Sequence, residues 1–185
     1  QYSKSKLQKF LADHELTRAP GSRFQYSNLG IAIVGHILEE QYQMSYDEII
    51  KQTIAKPLGM MSTGLELPAV DSSSITRGHK NGNPVPYWNF PGVESMGALK
   101  STTSDQAAFI KAHLGSPNPL RAAISMVQEP LFDIKQANKR IDKVGMGWML
   151  STEQDSIWWH NGGTGGYSSF VGINAETGAG VVVLS

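Results

Sequence analysis

The spacing of apolar residues predicts helices over most of the chain. Residues 3–16 carry Leu7, Phe10 and Leu11, which fall on one face of a helix. Residues 29–40 are apolar on nearly all sides, and a helix of that kind is normally buried. The first part of the chain is therefore expected to form a helical lobe with one helix in its interior.

Polar residues at cap positions predict two further helices. A serine and a threonine are each followed three positions later by Glu or Gln, which is the spacing of a capping box. Each of these residues is expected to start a helix. The predicted elements are a helix from Ser45, with Glu48, to Pro57 and Gly59 and one from Thr103, with Gln106, to His113, and a short helix is also predicted over residues 120–127.

The last quarter of the chain has the pattern of strands joined by short turns, which make antiparallel neighbours. Helices first and strands last predict an α+β fold, with a mostly helical lobe over residues 1–142 packed against an antiparallel β-sheet over residues 143–185. Asn81 and Gly82 predict a small hairpin within the helical part. The predicted strands of the sheet are residues 144–151, 156–160, 168–173 and 180–184.

Composition excludes several classes of function. Lys and Arg balance Asp and Glu at 16 each, and no basic run indicates nucleic acid or a membrane surface. No stretch reaches the ~20 apolar residues of a membrane span. The chain has no cysteine, and its five histidines lack the spacing of metal ligands. We therefore expect no nucleic acid partner, no stable membrane insertion, no metal and no cofactor.

The run Tyr26-Ser27-Asn28 lies at the start of the predicted buried helix. A tyrosine hydroxyl near a cation can lose its proton more easily and act as a general base. An asparagine amide can donate to and accept from a substrate amide. Helix capping by Ser27 or Asn28 is the ordinary alternative, and the run taken alone favours it.

A second candidate site lies where an aromatic strand ends in His160, Asn161 and Gly162. Four glycines fall within five positions there, and glycines let a substrate lie against a strand while backbone N–H groups point at a developing oxyanion. His160 could supply a proton donor or a positive edge. A flexible hairpin loop with an exposed histidine explains the same residues equally well.

The two runs occur in order, with Pro57-Leu58-Gly59-Met60 and a small-residue turn at Gly97 between them. This combination resembles the serine β-lactamase and penicillin-binding-protein superfamily, in the class C β-lactamase-like branch, which also contains esterases, D-aminopeptidases and D-alanyl-D-alanine carboxypeptidases. Residues 20–30 are similar to that family's second motif with its lead-in, and residues 160–162 look like its third motif. The resemblance covers nearly the whole chain and implies a helical lobe against an antiparallel sheet.

The resemblance assigns roles to six residues. Tyr26 would be the general base or part of a proton relay, and Asn28 would bind the substrate amide. His160 would orient the substrate and balance charge. Asn161 and Gly162 would complete the substrate-binding strand, and the N–H of Gly163 would be one donor of an oxyanion hole.

The nucleophile does not fit the family pattern. The family's first motif is Ser-x-x-Lys at the start of a helix, with the serine acylated and the lysine taking its proton. Here Ser3 and Lys6 match it, but they lie close before Tyr26, where the family has a long intervening segment. A lysine-rich amphipathic helix is also a poor place for a buried lysine. We expect Ser3 to be a helix cap and the nucleophile to lie outside this chain.

The resemblance also implies a setting for the protein. Both ends of the chain are expected to lie inside the fold, so that the remainder of the same fold would complete it. The implied substrate is a small molecule or a peptidoglycan peptide, attacked at an amide or ester, and the implied location is periplasmic or secreted. A non-catalytic binding or structural homologue is the alternative. Segment 68–97 is where we expect substrate selectivity to be decided.

Overall fold

The protein is described by a computed structural model that covers residues 3–66, 75–88, 90–134, 141–152 and 156–185. Residues 68–74 and 89 of the segment expected to decide selectivity lie outside the described residues. The helices are α1 (Lys4–Asp13), α2 (Asn28–Tyr42), α3 (Tyr46–Ile50), α4 (Lys56–Leu58), α5 (Thr103–His113) and α6 (Arg121–Val127), and a 3₁₀ turn spans Glu94–Met96.

Serine and threonine side chains set where the longer helices start. The hydroxyl of Ser3 accepts from the N–H of Lys6 at the start of α1. The capping box of Ser45 and Glu48 is present in both directions at α3, which confirms that prediction. At α5 the cap is Thr102, one residue before the predicted Thr103, because its hydroxyl is the one that accepts from the third N–H of the helix.

The third predicted helix ends at Gly59, as predicted, but Pro57 lies inside the helix and not at its end. α3 passes through a π-helical turn, Lys51–Ala55, into α4, which contains Pro57. Proline has no N–H to donate to the preceding turn, so it is tolerated where a wider turn already interrupts the regular pattern. Gly59 ends the helix with a φ of 73° that a glycine adopts without strain.

All strand pairs in the main sheet are antiparallel, and the six strands follow one another in chain order. The predicted strand 144–151 is wrong as a single element, because a turn with Gly147 at φ 78° splits it into two paired strands. The sheet also includes a short strand that lies before residue 143. The strands are β3 (Phe132–Asp133), β4 (Lys143–Val144), β5 (Met149–Ser151), β6 (Ile157–Thr164), β7 (Tyr167–Asn174) and β8 (Ala179–Leu184).

A separate two-stranded hairpin forms at the predicted Asn-Gly turn. Its strands are β1 (Gly78–Lys80) and β2 (Asn83–Val85), and Lys80 pairs with Asn83. Asn81 and Gly82 both have positive φ, 53° and 79°, as a type I′ turn requires. The predicted hairpin is confirmed.

The main core lies between α5 and one face of the sheet. Ile110 of α5 meets buried side chains of the sheet region. Gly180 of β8 faces the same residue so closely that a Cβ there would overlap the Ile110 side chain. This packing fixes α5 across the sheet and confirms the α+β arrangement. The buried cluster is Ile110, Trp148, Leu150, Trp158 and Ile173.

The prediction that the second helix is buried on nearly all sides is wrong for the residues described. α2 packs through small residues, since Ala32 and Gly35 are buried and Gly35 lies against Ser95 of the 3₁₀ turn. Three of its larger apolar side chains stay exposed by 45% to 54%, whereas Leu29, Ile33 and Leu38 are half-buried. Periodicity identified the helix, but the described neighbours of α2 leave one of its apolar sides uncovered. The exposed residues are Ile31, Val34 and Ile37.

Candidate active site

The start of α2 leaves two polar side chains exposed. Ser27 is the helix cap, because its hydroxyl accepts from the N–H of Gly30 at 3.0 Å. Asn28 is the first helical residue, and its side-chain amide has no hydrogen-bond partner among the described residues. Tyr26 is 54% exposed. The capping alternative therefore accounts for Ser27 alone and leaves Tyr26 and Asn28 available to a ligand.

Tyr26 meets His160, although the two residues belong to distant parts of the sequence. The ring centroids are 6.2 Å apart with an angle of 32° between the planes. Side chains alternate faces along a strand, so His160 lies on the same face of β6 as the buried Trp158. This is the face that α5 covers, and it brings His160 towards the helical lobe. The first and second candidate sites are thus one site.

The C-terminal half of β6 is a free edge. A two-residue loop joins β6 to β7, with Thr164 opposite Tyr167. In an antiparallel pair, successive residues alternate between bonding to the partner and pointing away from it. Counting back from the loop, Asn161 and Gly163 direct their N–H and C=O groups away from β7. On that side, pairing with β5 stops at Met149, opposite Trp159, and no other described strand continues it.

The glycines after His160 have two different roles. Gly162 and Gly163 belong to β6, and open space lies where a side chain of Gly163 would point. Gly165 and Gly166 form the turn, and Gly166 has a φ of 81°. A Cβ on Gly166 would also overlap Val85 and the backbone of β1. The expected substrate-binding stretch is therefore Gly162 and Gly163, while the other two glycines form a tightly packed turn.

Asn161 lies on the opposite face of β6 from His160 and is exposed. Its neighbours on that face are aromatic. Trp159 and Phe170 stack with ring centroids 5.9 Å apart, and the Trp159 Nε1 donates to Ser151. Asn161 contributes to the free edge through its backbone, and its side chain lies on the other side of the sheet.

Ser3 lies at the wrong end of α2 for catalysis with Tyr26. The adjacent Lys4 donates to Glu40 at 2.5 Å, near the C-terminal end of α2. A helix rises ~1.5 Å per residue, so Glu40 is about 18 Å along the axis from Asn28. The Ser3 hydroxyl contacts the N–H of Lys6, as a cap does. The geometry supports the expectation that Ser3 and Lys6 match the motif by coincidence.

The small-residue turn at residues 97–105 supports the helical lobe. Asp105 is buried and accepts from the N–H of Ser62 and the hydroxyl of Thr63, both at 2.8 Å. Thr63 in turn contacts the Ser101 hydroxyl at 2.7 Å. The sequence indicated only capping in this turn, because the partners of Asp105 lie more than forty positions away.

One residue beside the site was not identified from the sequence. Trp88 packs on Gly165 at the end of β6. The segment that contains Trp88 was expected to decide selectivity, but nothing in the sequence shows that this side chain reaches the turn after β6. Within the described ranges no group of three or more His, Asp or Glu residues could hold a metal ion. Among those same residues no helix is long and apolar enough to cross a membrane.

Comparison with known proteins gives a consistent family. The model of the Beta-lactamase family matches residues 1–185. Protein flp of Staphylococcus aureus is 25% identical over 92% of this chain, which corresponds to 35% of that protein. A beta-lactamase of Pseudomonas fluorescens is 23% identical over 90% of this chain and 55% of its own length. The chain thus spans between about a third and about half of these relatives.

Solved structures show the same fold. The class C beta-lactamase of Rhodobacter sphaeroides superposes with a TM-score of 0.85 at 21% identity, over 99% of this chain and 60% of that one. A beta-lactamase/D-alanine carboxypeptidase of Pseudomonas syringae gives a TM-score of 0.86 at 18% identity, over 100% of this chain and 60% of that one. With the family match over all 185 residues, the chain belongs to the beta-lactamase family, within the serine β-lactamase and penicillin-binding-protein superfamily.

Proposed function

We propose that this chain forms one wall of the active site of a serine hydrolase that cleaves an amide or ester through an acyl-enzyme. The observation that carries the proposal is the contact between Tyr26 and His160 beside a free strand edge. A tyrosine, a histidine and outward-pointing N–H groups are the parts that acyl transfer needs for proton transfer and for the oxyanion.

The reaction would proceed in two balanced steps. The nucleophilic serine, supplied from outside these residues, loses its proton to the relay that contains Tyr26 and bonds to the substrate carbonyl carbon. The bond to the leaving group then breaks, and the relay returns the proton to that group. Water repeats the sequence by taking the place of the leaving group, and the acid product is released with the serine restored.

Each described residue has a part in this scheme. The N–H of Gly163 points out of the sheet edge and can donate to the oxyanion. This hydrogen bond speeds the reaction because it becomes stronger as negative charge develops on the substrate oxygen in the transition state. Asn28 holds the substrate amide with its unpaired side chain, and His160 orients the substrate beside Tyr26. Asn161 and Gly162 form the strand along which the substrate lies.

The proposal also includes a setting for the protein and one alternative function. The name of one structural relative includes both beta-lactamase and D-alanine carboxypeptidase, which supports a small molecule or a peptidoglycan peptide as substrate. A periplasmic or secreted location is proposed with it, as the resemblance to the family implies. The alternative function is a binding or structural module that kept the fold without the chemistry. The exposed and unpartnered Asn28 suits either function.

Covalent labelling distinguishes these possibilities. We expect a fluorescent penicillin or a fluorophosphonate to label the full-length gene product on a serine outside residues 1–185. Tyr26→Phe should slow labelling by about 10²-fold or more, because general base catalysis contributes that much. Tyr42→Phe, at the far end of α2, is the matched control and should label normally. Label on Ser3 would overturn the assignment, and no label at all would favour the binding module.

A further inference from the structure

Trp88 presents an aromatic surface next to the candidate site. Its side chain packs so closely on Gly165 that a Cβ there would overlap the indole ring at Nε1 and Cδ1. The residue nevertheless remains 58% exposed. Gly165 does not need a positive φ, so close approach of this ring is the physical reason for a glycine at that position.

The segment that carries Trp88 is fastened to the end of β6 and the start of β7. The N–H of His79 in β1 donates to the carbonyl of Gly166 at 3.1 Å. The Tyr167 hydroxyl donates to the carbonyl of Thr76 at 2.9 Å. Phe90 meets Trp88 edge-on with ring centroids 6.0 Å apart. Trp88 is therefore held in place by both the hairpin and its own neighbour.

The direction of the substrate along β6 follows from proton transfer. The leaving group must receive a proton, so it lies towards Tyr26 and His160. The carbonyl oxygen lies at the N–H of Gly163. The acyl part of the substrate then extends the opposite way, towards Gly165. Residues rise ~3.3 Å each along a strand, which puts Gly165 about 7 Å beyond the oxyanion donor.

We propose that Trp88 is a specificity-determining residue whose indole forms the wall of a subsite for an aromatic or flat apolar group on the acyl side of the substrate. A distance of about 7 Å suits a ring that is one or two carbons from the reacting carbonyl. Ring stacking on the indole adds to the gain from removing the apolar group from water. This inference rests on the proposed acyl-transfer function, because that function sets the direction of the substrate.

Tyr87 provides a matched control. It is the neighbouring aromatic residue and is exposed by 55%. The Lys100 Nζ lies 5.2 Å from its ring centroid, so this ring is engaged with a cation of the helical lobe. No described contact joins Tyr87 to the turn after β6. A loss of aromatic surface at Tyr87 should therefore not affect the acyl side of the substrate.

The first experiment uses the full-length protein and two esters with the same leaving group, p-nitrophenyl phenylacetate and p-nitrophenyl acetate. The measured quantity is the ratio of their kcat/KM values. Trp88→Ala should lower this ratio by about tenfold. The interaction between two aromatic rings contributes a factor of that size in addition to the burial of apolar surface. Trp88→Phe should keep most of the ratio, and Tyr87→Ala should leave it unchanged. Gly165→Ala, which pushes the indole aside, should reproduce the loss with the tryptophan still present.

The second experiment does not depend on turnover. Calorimetric titration compares binding of phenylacetate with binding of acetate, which are free acids with no leaving group and therefore cannot acylate a serine. Wild type should prefer phenylacetate by about tenfold, and Trp88→Ala should lose that preference. Thermal melting of each variant separates a local change from unfolding, and Gly165→Ala supplies the second route to the same conclusion.

The outcomes separate the two proposals. An ester ratio and a binding preference that are both unchanged in Trp88→Ala overturn the subsite. Equal loss in Tyr87→Ala also overturns it, because the effect would then belong to the segment as a whole. If no ester is hydrolysed but the binding preference falls in Trp88→Ala, the acyl-transfer proposal fails while the aromatic subsite stands.

Discussion

The two halves of β6 have opposite surroundings although they form one continuous strand. Ile157 to Trp159 pair with strands on both sides, and Trp158 is buried in the main core. From His160 to Thr164 the strand pairs only with β7, and its residues are partly or fully exposed. The fully paired half gives the strand a fixed position. In the proposed function, the half with one partner uses that position to present a side chain and backbone N–H groups to a substrate.

Truncation of the paired half should have the largest effect on stability. Trp158→Ala removes a ring that packs with Ile173 and Leu150, and large-to-small changes of this kind cost about 3–5 kcal/mol. His160→Ala, two residues along on the same face, should change the free energy of unfolding by less than about 0.5 kcal/mol, as surface changes usually do. Urea unfolding of both variants measures the difference. Equal losses would show that the halves are not distinct.

Proline substitutions at neighbouring glycines sharpen the same comparison. Gly163→Pro removes an N–H that points away from β7, so labelling by fluorophosphonate should fall by about 10²–10³-fold, the usual effect of losing one oxyanion donor. The free energy of unfolding should change little. Gly162→Pro removes an N–H that faces Ser169 of β7 and should destabilise the sheet instead. If Gly163→Pro destabilised the sheet and Gly162→Pro slowed labelling, the register assigned to β6 would be wrong.

The two serine caps should behave alike in stability and differently in function. Ser3→Ala and Ser27→Ala should each cost about 1 kcal/mol of unfolding free energy, because each removes a hydroxyl that accepts from a helix N–H. Ser3→Ala should leave covalent labelling of the full-length protein unchanged. Ser27→Ala should slow it, since the cap holds Tyr26 and Asn28 at the start of α2. Labelling that depends on Ser3 would move the site to the other end of that helix.

The buried residue His113 should give the free energy of unfolding a small dependence on pH. Burial lowers the pKa of His113 from its usual 6.5, because a charged imidazole between Phe109 and Trp148 loses its hydration. The unfolded chain then binds a proton at a higher pH than the folded one. Stability is complete above about pH 6.5 and falls as the pH drops towards the lowered pKa of the folded state.

Urea midpoints between pH 4 and 8 measure this dependence. His113→Gln cannot titrate, so this part of the slope should disappear in that variant. An identical slope in wild type and His113→Gln would show that His113 does not cause it.

Local sequence rules predicted the element types well where one residue controls the backbone. Ser3, Ser45 and Asn81-Gly82 each act through their own hydrogen bonds or φ angles, and the predicted α1, α3 and β1–β2 hairpin are confirmed. The errors came from positions where the local sequence is compatible with two different backbone structures. Pro57 could end a helix or sit after a π turn, and residues 144–151 could be one strand or two.

The candidate site was predicted only in its components. Tyr26 and His160 were identified from their motifs, but their contact depends on how α5 and the helical lobe pack on the sheet. The burial of α2 was wrong because periodicity shows which residues could be covered and not what covers them. Trp88 was missed for a related reason. An exposed tryptophan in a loop has no local signature of a contact with a distant glycine.

The sequence by itself determined the helix starts, the antiparallel turns and the order of motifs that identifies the family. Those features depend on short-range hydrogen bonds and on φ angles, which a few adjacent residues control. Only the tertiary structure decided that Tyr26 meets His160, that Ser3 lies at the far end of α2, and that Gly163 faces a free edge. Such relations depend on the packing of many distant side chains and on where strand pairing stops, which no short stretch of sequence specifies.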